Sequence, residues 1–127
     1  MRLLLDTHAL LWFVEADPRL SSKARTAMED PGSELYISTA STWELAIKIG
    51  QGRLRLTGPL EAYLQQRLEQ GYRALDIEWR HTCLVNTLPL HHRDPFDRML
   101  AAQALAEDMT LVSADPAFRD YELKLLW

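Results

Sequence analysis

Only one cysteine, Cys83, occurs in the 127 residues, so no disulfide can close within the chain and a cysteine-built zinc site is excluded. That usage suits a reducing compartment, and the cytoplasm is the expected location. No apolar stretch approaches the ~18 consecutive residues that suggest a membrane span. The opening Met1-Arg2-Leu3-Leu4-Leu5 resembles the start of an export signal, but Asp6 and His8 interrupt it and no small-residue cleavage pattern follows before Glu15. A basic excess is lacking as well: 14 Lys plus Arg face 18 Asp plus Glu, a net charge of −4. That sign is wrong for a protein that grips nucleic acid across a broadly positive surface. The objection weakens if four of the acids serve a metal, because the remaining acids then only equal the bases, and a negative total leaves room for a positive groove. Internal repeats, low-complexity segments and long linkers are absent too, and a 47% hydrophobic composition at this length predicts one domain over residues 1–127.

What is present reads as strands alternating with helices. Leu3 to Leu5 is a short apolar run ending at Asp6, and the spacing of Ala9, Leu10, Leu11, Phe13 and Val14 then suits a helix. Asp17-Pro18 breaks that helix, Ser21 or Ser22 caps a second through Met28, and Pro31-Gly32 ends it. Leu35 to Ser38 reads as a buried strand, and Ser41 as the start of a helix that stops near Gly50 and Gly52. Gly58-Pro59 introduces a helix to about Gln70, Tyr72 to Ile77 a short strand, and Trp79 to Leu88 a further helix. Asp94-Pro95 opens a strongly patterned helix, Thr110 to Ser113 is a strand ending near Asp115-Pro116, and Tyr121 to Leu126 a last strand. This alternation predicts an α/β fold, a mostly parallel sheet with helices on both faces.

Four acids stand at the junctions. Asp6 and Asp115 lie just past the carboxyl ends of predicted strands, and Glu44 and Asp97 in the first turns of predicted helices. In an open parallel sheet that edge is where ligands bind. Each acid has a plainer explanation. Ser41-Thr42-Trp43-Glu44 has the spacing of a capping box. In Asp94-Pro95-Phe96-Asp97, Asp94 can be the N-cap, with Asp97 favoured by the helix dipole. Taken together, four carboxylates in one crevice would repel and raise one another's pKa unless a cation lay between them. Mg²⁺, with Mn²⁺ as an alternative, prefers such oxygen ligands and is commonly shared with substrate phosphate, which points to phosphodiester hydrolysis.

Other residues carry less. Lys48 is expected to pair with Glu44 one turn away. His91 and His92 are set aside as metal ligands, since neighbouring histidines on an irregular stretch cannot easily both face one site. Arg93 and Arg98 are phosphate-contact candidates, and Trp12 and Trp43, amid apolar neighbours, are expected in the core.

The segments Leu3-Leu4-Leu5-Asp6-Thr7, Ser38 to Lys48 around Glu44, His92-Arg93-Asp94-Pro95-Phe96-Asp97-Arg98, and Leu111-Val112-Ser113-Ala114-Asp115 together resemble the PIN-domain nucleases, and among them the VapC-like toxins of toxin–antitoxin pairs. The likeness runs in order from Leu3 to about Phe118. It implies a parallel sheet, a homodimer, cleavage of RNA, a cognate antitoxin protein and a metal site of Asp6, Glu44, Asp97 and Asp115. Thr7, Ser113 and Arg98 would position water or phosphate. Ala114 departs from the pattern, since relatives often carry a basic residue there. A phosphoacceptor receiver domain, an inactive binding module and a constitutive RNA-processing nuclease are the rival readings. The first wants paired acids after the opening strand, and Asp6 has no acidic neighbour.

Overall fold

The computed structural model describes residues 1–127. Its order is β1 (Arg2–Leu5), α1 (Thr7–Val14), α2 (Ser22–Glu29), β2 (Glu34–Ser38), α3 (Thr39–Gly50), α4 (Leu60–Glu69), β3 (Arg73–Leu75), α5 (Trp79–Thr87), α6 (Pro95–Glu107), β4 (Thr110–Val112), a 3₁₀ turn (Pro116–Asp120) and β5 (Lys124–Leu126). The five strands form one parallel sheet in the order β3-β2-β1-β4-β5. The predicted elements are all present, although the strands expected at Tyr72–Ile77 and Tyr121–Leu126 shrink to three residues each.

β1 is central, and its three leucines are fully buried because both faces of a parallel strand are covered. Alternation splits them. Leu3 and Leu5 join Leu10, Leu20, Ala24 and Met28 beneath α1 and α2, whereas Leu4 joins Leu100, Ala101, Ala104 and Phe118 on the α6 side. Helices thus cover both faces, as the alternation predicts.

The chain leaves β1 toward β2 and β3, then returns through α5 and α6 to place β4 on the other side of β1. Strand order therefore switches beside β1, and a crevice opens at the carboxyl ends of β1 and β4, where the flanking connections diverge. The backbone N–H of Asp6 donates to the Val112 carbonyl at 3.1 Å, tying the two strand ends together at that point.

Candidate active site

Asp6 leaves the end of β1 as the N-cap of α1, its carboxylate accepting the Ala9 N–H at 2.7 Å. It is 8% exposed. Burial raises its pKa, against the opposing pull of the Ser113 hydroxyl and the Ala9 N–H. Ser113, buried just past β4, also accepts the Asp115 N–H at 3.1 Å, so one hydroxyl links the first and last acids. Asp115 caps the 3₁₀ turn through the Ala117 N–H. Burial pushes its carboxyl upward, but that N–H and the His92 imidazole outweigh burial and hold it below the usual carboxylate range.

Glu44 is placed differently from expectation. The N-cap of α3 is Ser38, whose hydroxyl accepts the Ala40 N–H, so the helix begins three residues before the proposed capping box. Glu44 therefore lies in the second turn, out of reach of the cap, and Ser41 Oγ is buried without a partner. The carboxylate is instead held by Thr7 Oγ1, which donates to it at 2.5 Å, and by Lys48 Nζ at 3.0 Å. The i,i+4 pair is as expected. Asp94 is the N-cap of α6, accepting from the Phe96 and Asp97 N–H groups, with Pro95 opening the helix. Asp97, freed of any capping duty, points into the crevice. Burial and then the charge of Asp94 push its pKa up to about 7, with Glu44 and Asp6 adding to the rise and His92 opposing it.

One cavity of about 340 Å³ takes its walls from Asp6, Thr7, Glu44, Asp97 and Asp115. All four acids line it. A residue set aside in the sequence joins them: His92 Nε2 lies 3.0 Å from Asp97 Oδ2 and 2.8 Å from Asp115 Oδ2, a cluster whose ligand atoms could hold a metal ion. Only one of the two histidines faces the site. His91 turns away to pack edge-on against Tyr121, while the Asp94 N–H fixes the His92 ring by donating to Nδ1. The arrangement fits a hard divalent cation, because the side chains lining the cavity offer mainly carboxylate oxygens, and burial together with the neighbouring acids disfavours the bare Asp97 carboxylate.

A family model described as the PIN domain matches residues 3–124. The chain belongs to the PIN-domain family. Membership disposes of the receiver-domain reading. This PIN domain is 33% identical over 119 residues to Ribonuclease VapC22 of Mycobacterium tuberculosis (strain ATCC 25618 / H37Rv), covering 93% of this chain and 90% of the relative. Among solved structures, it resembles in fold a chain of VapBC2 from Rickettsia felis bound to a promoter DNA fragment. The TM-score is 0.73 at 18% identity, over 98% of this chain and 97% of the other. A chain of DNA-bound VapBC from Salmonella typhimurium has a TM-score of 0.72 at 16% identity, covering 98% and 96%.

Two expectations for the PIN domain need correction. Arg98 does not reach the acids: its guanidinium donates to the carbonyls of Val85, Leu88 and Pro89 and to the Tyr121 hydroxyl, stapling the end of α5 to α6. Arg93 and Arg98 both line a different, apolar groove. Trp43 is no core residue; it is 61% exposed and meets Phe96 edge-on at 5.2 Å between centroids. Apolar neighbours in sequence misled because Trp43 stands two residues from the buried Ser41 and Leu45, about 200° around α3 and so on its opposite face. No helix is long and apolar enough to cross a membrane.

Proposed function

We propose that residues 1–127 form one nuclease domain, a metal-dependent endoribonuclease acting as the toxin of a toxin–antitoxin pair. The observation that carries this reading is the meeting of Asp6, Glu44, Asp97 and Asp115 around one cavity at the strand-order switch, in a chain similar to a named ribonuclease. These four would hold Mg²⁺, or Mn²⁺ in its place. A bound ion of that kind supplies an activated water and neutralises charge developing on phosphate oxygens. The protein's own groups set the stage for it. Thr7 and Lys48 orient Glu44, the Ser113 hydroxyl is shared between Asp6 and the Asp115 N–H, and His92 holds a hydrogen-bonding proton between Asp97 and Asp115.

An antitoxin protein and a second copy of the chain are the expected partners. Apolar surface is available for them: Trp79 is 90% exposed, Leu90 72%, and a groove of about 410 Å³ runs between Trp43, Leu90 and Phe96. An uncontrolled cytoplasmic nuclease would endanger its own cell, which favours a dedicated inhibitor. An inhibitor arginine aimed at the four carboxylates would pair bidentately and relieve their repulsion.

The test is cleavage of RNA by the purified chain with Mg²⁺, with Mn²⁺ and with chelator. Metal-dependent products with 5′-phosphate and 3′-hydroxyl ends are expected, since a metal-activated water needs no ribose hydroxyl. Cyclic phosphate ends formed in chelator would remove the metal site from the chemistry. Expression in cells completes it: growth arrest is expected for wild type alone, and relief on co-expression of a small protein encoded beside it. A soluble, folded wild type that cleaves RNA yet harms no cell would favour a constitutive RNA-processing role instead.

A further inference from the structure

A second cavity, of about 260 Å³, opens beside the acidic one and shares Thr7, His8, Trp12 and Lys48 with it. Its chemistry is different. Arg19, Lys48 and Arg53 line it against a single acid, Glu15. Lys48 is committed to Glu44 and Arg19 to Asp17 at 2.8 Å, but Arg53 has no carboxylate partner and its side chain meets only Gln51, at 3.4 Å. The wall also carries a prebuilt stack of flat groups. The exposed imidazole of His8 lies on Trp12 at 5.2 Å between centroids and 19° between planes, and the Arg19 guanidinium lies 4.9 Å from the same indole.

We infer that this annex is the subsite for the nucleotide next to the scissile phosphate of single-stranded RNA, with the adjacent phosphate on Arg53 and Lys48 and the base added to the His8–Trp12 stack. The inference rests on the nuclease reading and extends it to where the neighbouring nucleotide is held. An anion is favoured because three cationic side chains, Arg19, Lys48 and Arg53, line the annex against the one acid Glu15, in a chain that is negative overall. A nucleotide is favoured over a bare anion because flat side chains bind the faces of unstacked bases. A duplex keeps its bases stacked inside, so single strands suit the site. No base-edge donors or acceptors stand out on the stack, so the subsite tolerates any base.

The test is fluorescence anisotropy with a short, labelled, mixed-sequence single-stranded RNA and its duplex, in Mg²⁺, using an Asp97→Asn background to prevent cleavage. His8→Ala is expected to weaken single-strand binding about tenfold. Arg53→Gln should flatten the dependence of log affinity on log salt by about 0.7, the value for one lost single-strand phosphate contact. Both side chains are exposed, so folding is not at stake. Arg73→Gln, at the amino end of β3, should change neither quantity. Equal affinity and equal salt slope in the His8 and Arg53 variants would overturn the subsite, and so would equal binding of duplex. If wild type cleaves RNA and the variants bind and cleave like it, the nuclease reading stands and the subsite falls. If no RNA is cleaved yet single-strand binding still depends on His8 and Arg53, the nuclease reading falls, and with it the place beside a scissile phosphate, leaving the annex an RNA-binding site only.

Discussion

At Asp97 the geometry that suits a cation also costs stability when none is bound. Its folded pKa of about 7 lies above the ordinary 3.8. Between those values the folded chain keeps a proton that the unfolded chain has released, so stability should fall as pH rises from about 4 through 7 and the penalty should be complete above that window. Asp97→Asn removes the ionisation while keeping the shape. With solvent screening discounted, the gain for the metal-free protein at pH 8 is on the order of 1 kcal/mol, or about 4 °C in Tm for a domain of this size. The same variant should lose cleavage by orders of magnitude. Asp94→Ala offers the contrast, because its carboxylate satisfies two backbone N–H groups of α6. It should cost ~1 kcal/mol through the lost cap. Thermal melts and RNA cleavage on both variants decide between the roles: an Asp97→Asn protein that melts early yet cleaves normally would make Asp97 a structural residue.

Between elements, the relative placement of α3 and α6 sets how far Glu44 stands from Asp97. A buried polar connection holds it. Ser38, the α3 N-cap, donates to Gln103 Oε1 at 2.5 Å, and Gln103 Nε2 reaches the Asp76 carbonyl at 3.3 Å. Gln103→Leu would strand the Ser38 hydroxyl in the core and should destabilise the protein by about 1–3 kcal/mol in urea denaturation. A value within error of wild type would show that α3 and α6 need only their apolar contacts. Nothing in the sequence singled out Gln103, since a lone amide on a helix reads as solvent-facing, and only the crossing of α3, α5 and α6 makes it central. The elements themselves were legible because apolar runs, Asp-Pro breaks and Pro95 after Asp94 act locally. So were the four acids, each read at or near a strand-to-helix junction. For Glu44 the plainer explanation, a capping box begun at Ser41, is removed by the earlier helix start at Ser38. His92 was missed because the segment before α6 has no periodicity from which to read a direction, and the doublet with His91 disguised that a single ring suffices.

For the whole molecule, a cation held by carboxylates from the caps of α1 and the 3₁₀ turn and from α3 and α6 would join segments far apart in sequence, so binding should appear as global stability. With free Mg²⁺ at a hundred times its dissociation constant, linkage adds about 2.7 kcal/mol. The Mg²⁺-dependent rise in Tm should be smaller at pH 6 than at pH 8, because protons compete for Asp97 on the acid side of about 7. Calorimetric melts at the two pH values measure it, and an equal rise at both would show that Asp97 does not hold the ion.

The central place of β1 has a consequence in time as well as space. Leu3 to Leu5 are made more than a hundred residues before Thr110–Val112, one of their two neighbouring strands, and the Ser113 amide then donates to the Leu126 carbonyl. Contacts of such long separation form slowly and late. At a synthesis rate of about 5–20 residues per second, the leading strand waits seconds for the partner that completes its second edge. Asp115 comes later still. The acids can therefore converge only after almost all of these residues have been made, and a chain stopped before Asp115 is expected to leave the RNA that encodes it uncut.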